Sequence, residues 1–128
     1  MKNVSTLLLV DDDADEMEIF QEAINALDSA LQLVYIPSAA QALSLLTAKS
    51  IIPDIIFLDL NMPGMTGKEC LLQLRKLKYL DDTPVIIYST SQNQNEVDEV
   101  LKFGASLFLT KPGDFKTLYT ELKLILCL

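Results

Sequence analysis

In Ile55-Ile56-Phe57-Leu58-Asp59-Leu60-Asn61, four consecutive apolar residues run straight into an aspartate. A continuous apolar run of this length suits a parallel strand covered on both faces, whereas a half-solvated antiparallel strand alternates. Working outward, four similar runs surround it: Leu7–Val10, Leu33–Ile36, Val85–Tyr88 and Leu107–Leu109. The five recur every 21 to 30 residues, the repeat of a strand plus a helix. The intervening segments carry helical periodicity. Met17, Phe20, Ile24 and Leu27 follow a 3,4,3 spacing, as do Phe115, Leu118, Leu122 and Ile125. Ala39, Leu43 and Leu46, then Leu71, Leu74 and Leu77, form shorter stripes, and Val97, Val100 and Leu101 a weaker one that Gly104 terminates. Ser38 with Gln41 and Thr66 with Glu69 read as capping boxes, and Asp13 with Glu16 imitates one. Alternating strands and helices predict one α/β domain over residues 1–128, a five-stranded parallel sheet with helices on both faces. Periodicity leaves the strand order open.

Composition narrows the function. Of 128 residues, half are hydrophobic and 22% are charged, which excludes a disordered chain. The net charge of −8, from 18 acids against 10 bases, argues against direct binding of nucleic acid or an anionic membrane. The chain has no histidine, which removes Ser-His triads, His-ligated zinc and any phosphohistidine of its own. Cys70 and Cys127 suit a reduced, cytoplasmic protein with buried or half-buried thiols. The uncharged segment Ser29–Ala48 is broken by Pro37 and several polar residues, so it reads as strand, turn and helix rather than a membrane span. Lys68, Arg75, Lys76 and Lys78 read as a solvated face, and Met62 and Met65 as loop residues packing on the sheet.

Ligands of open parallel sheets bind beyond the carboxyl ends of the strands. Just past those ends stand Asp11-Asp12-Asp13, Asp59 with Asn61, Ser89-Thr90-Ser91 and Thr110-Lys111-Pro112. Asp13 reads as a helix cap. Singly, the other residues would be caps or surface groups; jointly they bring acids, a hydroxyl and an amine to one edge. Two carboxylates about 4 Å apart repel by roughly 4 kcal/mol at an effective dielectric near 20. Three cannot all stay ionised without a cation. Lys111 supplies one charge, and an oxygen-only site with few protein ligands suits Mg2+. Asp59 is then placed as a carboxylate nucleophile that forms an acyl phosphate. Lys111 and the Ser89 hydroxyl can bind the equatorial oxygens of such a group.

Val10-Asp11-Asp12, Leu58-Asp59-Leu60-Asn61-Met62-Pro63-Gly64, Ile87-Tyr88-Ser89-Thr90, Phe103-Gly104-Ala105 and Thr110-Lys111-Pro112 together resemble the receiver domain of two-component response regulators, over essentially the whole chain. The resemblance implies a flavodoxin-like sheet of order 2-1-3-4-5. It implies that Asp59 is phosphorylated by a histidine kinase or phosphotransfer protein. It also implies that Asp12 and Asp59 ligate Mg2+ by side chains, Asn61 by its carbonyl and Asp11 through water. Ser89 resembles the switch hydroxyl, Lys111 the phosphate-binding amine, and Phe108 the switch aromatic, here without a hydroxyl. The Lys111–Pro112 peptide is expected to be cis.

The leading expectation is therefore a phosphoacceptor switch without an output domain, acting on another protein rather than as a turnover enzyme. An aspartate-nucleophile phosphatase would need an acid at the position of Asn61. A phosphorylation-independent scaffold would not need Asp11, Asp12, Asp59, Ser89 and Lys111 together. The expected output face comprises Val97–Phe103, Leu107–Leu109 and the terminal helix, including Tyr119, Leu124, Leu126, Cys127 and Leu128. Whether the phosphorylated form makes a homodimer stays open.

Overall fold

The computed structural model describes residues 4–91 and 93–127. Five strands, β1 (Thr6–Val10), β2 (Gln32–Ile36), β3 (Ile55–Leu58), β4 (Val85–Ser89) and β5 (Leu107–Thr110), pair in parallel in the order β2-β1-β3-β4-β5. The helices between and after them are α1 (Ala14–Leu27), α2 (Ala39–Thr47), α3 (Gly67–Leu74), α4 (Gln94–Lys102) and α5 (Phe115–Ile125), with a 3-10 turn at Lys78–Leu80. The sheet and its order are those expected, and Leu128 of the expected output face lies outside the described residues. Among the described residues no helix is long and apolar enough to cross a membrane.

Strand pleating divides the core. Leu7, Leu9, Phe57, Ile86, Tyr88 and Leu109 pack with Phe20 and Ile24 of α1 and Leu118 and Leu122 of α5. Leu8, Val10, Ile56, Leu58 and Ile87 pack with Ala42 and Leu46 of α2, Cys70, Leu71 and Leu74 of α3, and Val100 of α4. Each fully buried large apolar side chain contributes about 1.5–3 kcal/mol relative to exposure. β1, β3 and β4 are buried from Leu7, Ile55 and Val85 onward, as continuous runs predict. Both edge strands depart from the pattern: in β2 only Ile36 is buried, and in β5 Leu107 is exposed and Phe108 half-buried.

Helix ends show where local signals hold. Thr66 and Glu69 form a complete capping box at α3. Ser38 accepts from the Gln41 N–H at 3.2 Å, the one half of its box that is made; the exposed Gln41 amide is as well served by water. Asp13 caps α1 alone, accepting from the N–H groups of Asp15 and Glu16, because the Glu16 carboxylate turns inward to another partner.

Four expectations are corrected. Arg75 does not belong to a solvated face: its Nε donates to the Gly104 carbonyl at 2.9 Å and its Nη1 to the Leu80 carbonyl at 2.8 Å, tying the end of α3 to the segments that lead into β5 and β4. Cys127 is exposed just past the α5 cap, while Cys70 is buried and its thiol is pushed up to about 11 by burial. In α5, Phe115 is exposed and stacks on Tyr119, while Leu126 turns into the core. The Lys111–Pro112 peptide is trans, the isomer favoured by about 0.5–1 kcal/mol even before proline.

Candidate functional site

The parallel register builds the site. Val10 pairs with Leu58, so the residues that follow, Asp11 and Asp59, emerge side by side where β1 and β3 end. The Asp59 N–H donates to the Val10 carbonyl at 2.9 Å, which holds the two strand ends together. Asp11 and Asp59 are buried, Asp12 is exposed, and one carboxylate oxygen from each lies within 4.8 Å of the others. From the end of β5, Lys111 Nζ reaches Asp11 Oδ2 at 2.8 Å and Asp59 Oδ2 at 3.5 Å. Its backbone is fixed by an N–H bond to the Ser89 carbonyl at 2.9 Å.

The charges are in tension. Burial raises the Asp59 carboxyl above the usual carboxylate range; Lys111 opposes the shift and Asp11 adds to it. Burial alone would lower the Lys111 ammonium, but the contact with Asp11 and the charges of Asp59, Asp11 and Glu16 outweigh it and hold it above the usual lysine value. One ammonium thus serves two buried carboxylates. Asp11 Oδ1 accepts from the Asp13 N–H at 3.0 Å. Asp11 Oδ2 is buried and faces the Lys111 ammonium at 2.8 Å. Three converging carboxylates are the donor set of a hard divalent ion. The residues fit such an ion.

The other expected residues are placed around this cluster. The exposed Asn61 donates its N–H to Asp59 Oδ1 at 3.4 Å. Ser89 is buried at the end of β4, and its Oγ accepts from the Ser91 N–H at 3.2 Å. Phe108 is half-buried in the layer of α2, α3 and α4, opposite Ile87, and belongs to packing rather than to the acid cluster. A cleft beside the acids is lined by Leu60, Asn61, Thr66, Lys68 and Glu96, and an ion pair between Lys68 and Glu99 spans from α3 to α4.

Sequence reading missed Gly67. A Cβ there would stand 2.0 Å from the Asp59 carbonyl oxygen and 2.7 Å from Leu60 Cα. Its N–H donates to the Leu60 carbonyl at 3.0 Å. The first turn of α3 therefore rests directly on the backbone that carries Asp59. A glycine inside a capping signal, where helix propensity disfavours it, was the available clue.

The family model described as the response regulator receiver domain matches residues 7–123. The response regulator Rcp1 of Synechocystis sp. is 27% identical over 118 residues, which cover 88% of this chain and 80% of Rcp1. The phosphorylated cyanobacterial phytochrome response regulator RcpA superposes with a TM-score of 0.87 at 26% identity, covering 95% of this chain and 91% of that one. The Mn2+-bound form of Rcp1 gives a TM-score of 0.87 at 25% identity, covering 95% of this chain and 94% of that one. Some relatives are longer, and the chain covers 48% of the nitrate/nitrite response regulator NarL of Escherichia coli K12. Fold, edge chemistry and family match agree: the chain belongs to the response regulator receiver domain family of two-component signalling.

Proposed function

We propose that Asp59 is the phosphoacceptor of this receiver domain, with Mg2+ as its cofactor and a histidine kinase or phosphotransfer protein as its donor. The observation that carries the reading is the convergence of Asp11, Asp12 and Asp59 within 4.8 Å, with Lys111 reaching both buried members. Asp12 and Asp59 by side chains, Asn61 by its carbonyl and Asp11 through water would hold the ion. When bound, it neutralises the carboxylate repulsion and polarises the incoming phosphoryl group. An Asp59 oxygen bonds to phosphorus as the bond from phosphorus to the donor nitrogen breaks, and the imidazole keeps that electron pair. Lys111 is near enough to Asp59 to follow the new phosphoryl oxygens, and the Ser89 hydroxyl, whose Oγ accepts from the Ser91 N–H, donates its proton to one of them. The chain accepts the group at Asp59 and later passes it to water, which breaks the bond from the Asp59 oxygen to phosphorus and releases inorganic phosphate, and it is not a turnover enzyme.

Output runs through a protein partner at the face of α4, β5 and α5, where Leu101, Leu107, Phe115 and Leu124 are exposed. Phosphorylation at Asp59 draws Ser89 in and lets Phe108 repack. Intact mass after incubation with a small acyl-phosphate donor tests the chemistry. One added phosphoryl group is expected with Mg2+, and none with EDTA or in Asp59→Asn; equal labelling in either control overturns the reading.

A further inference from the structure

β4 is aliphatic from Val85 to Ile87 and then places a tyrosine, Tyr88, just before Ser89. Its ring is fully buried, edge-on to Phe20 at 5.6 Å and to Phe57 at 6.5 Å. An aliphatic residue would fill a strand interior without bringing in a hydroxyl that needs a partner. The partner is Glu16 of α1, whose Oε2 accepts from the Tyr88 hydroxyl at 3.3 Å. Burial first, then the Glu16 charge and hydrogen bond, push the phenol far above its ordinary range, so it stays a donor. Lys111 Nζ lies over the same ring, 5.5 Å from its centroid.

The strand order gives this ring its place. Lys111 starts beyond β5, while Asp59 and Asp11 follow strands two and three places away. With strands about 4.8 Å apart, the lysine must cross the end of β4 to reach either carboxylate. The surface it crosses is Tyr88. Its flexible stem also faces a choice of carboxylates, since Asp11 and Asp59 both attract it and Glu16 is close enough to contribute.

We propose that Tyr88, anchored by Glu16, is a positioning residue that holds the Lys111 ammonium between Asp11 and Asp59, in line for a phosphoryl group at Asp59. This deepens, and rests on, the phosphoacceptor reading of Asp59. A cation over the face of a buried aromatic ring is worth about 3- to 30-fold in affinity when it must stay put.

Two measurements on the full chain test it. In the NMR spectrum of the parent, the Lys111 ε-methylene protons are expected upfield of the ordinary lysine position, shifted by the ring. They return toward that position in Tyr88→Leu and remain upfield in Tyr88→Phe. An ordinary position in the parent overturns the proposal, whatever the phosphorylation chemistry. Beryllofluoride affinity in Mg2+ should fall about 3- to 30-fold in Tyr88→Leu while Mg2+ affinity does not fall. Loss of both together marks a collapsed edge rather than a misplaced lysine, and overturns it. Should Tyr88→Leu not fold, Glu16→Gln replaces it, with a smaller movement of the Lys111 protons expected and no movement counting against the anchor. Failure of the parent to bind beryllofluoride overturns the phosphoacceptor reading instead, and the parent's proton positions still judge Tyr88.

Discussion

Gly67→Ala isolates the dependence of the site on backbone contact. The new Cβ would lie 2.0 Å from the Asp59 carbonyl oxygen, 2.7 Å from Leu60 Cα and 2.8 Å from the Asp59 carbonyl carbon. All three neighbours are backbone, so no rotamer change relieves the clash, and α3 must move away by about 1 Å or more to restore ordinary contact. Overpacking of this kind costs about 1–3 kcal/mol. Weakening the Gly67 N–H bond to the Leu60 carbonyl adds about 0.5–1.5 kcal/mol. The better helix propensity of alanine returns up to about 1 kcal/mol, less at a first-turn position. The net loss is about 0.5–4.5 kcal/mol, a urea midpoint lower by about 0.2–2 M at a slope of about 2 kcal/mol/M. The displaced backbone carries Asp59 and Asn61, so divalent-ion affinity should fall with stability. Gly113→Ala is the control, since a Cβ there meets nothing within 4 Å. If Gly67→Ala unfolds at the same urea concentration as Gly113→Ala and binds Mg2+ as tightly, the contact between α3 and the Asp59 backbone has been misread.

Arg75→Ala should cost about 2–3 kcal/mol by urea unfolding, because the half-buried guanidinium donates to two carbonyls on separate segments; Arg75→Lys recovers little, lacking the fork, and a loss below about 0.5 kcal/mol would show that water replaces both bonds. Tyr79→Phe removes the hydroxyl that donates to the Leu46 carbonyl and should lower stability by about 1 kcal/mol, with an unchanged urea midpoint as the contrary result. The folded-state pKa of Asp59 lies above its unfolded value, so its ionisation destabilises the metal-free fold as pH rises through the window between the two. Mg2+ affinity should therefore weaken on acidification at a higher pH than for an ordinary carboxylate, and metal-free Asp59→Asn should be more stable than the parent at neutral pH; a variant of equal or lower stability would show that Lys111 compensates Asp59 in full.

The strands were legible because burial on both faces leaves no room for polar residues, and Ile55–Leu58 appears in the structure with the limits its composition predicts. The strand order was not contained in periodicity, which records how often the chain crosses the sheet and not where; it came with the motif resemblance. Helix stripes were legible where a helix lies flat on the sheet and less so at its ends, so Phe115 and Leu126 exchange their expected burial at the two ends of α5. Local reasoning failed where a long-range partner outbid a near one. Glu16 sits at the spacing of a capping box, but a hydroxyl buried 72 residues away offers a bond in a drier setting than solvent-exposed Asp13 does. Arg75 reads as one more surface cation until the fold places the Leu80 and Gly104 carbonyls around it.

The acids at the edge illustrate a different relation between fold and function. A parallel pair in which Val10 stands beside Leu58 compels the next residues of both strands into one another's field. With aspartate at both, the fold itself creates a repulsion that a single lysine must balance. At the 2.8 Å and 3.5 Å separations of Lys111 from Asp11 and Asp59, the ammonium favours Asp11, leaving Asp59 the less compensated of the two buried carboxylates. That imbalance is chemically useful. The carboxylate least reconciled to its charge gains most from a cation, and bonding to phosphorus moves its charge onto oxygens with better access to donors. A neutral residue at position 11 would leave Lys111 to Asp59 alone and relax the edge, so the cation beside Asp59 would bind more weakly, held by Asp12 and Asp59 without Asp11.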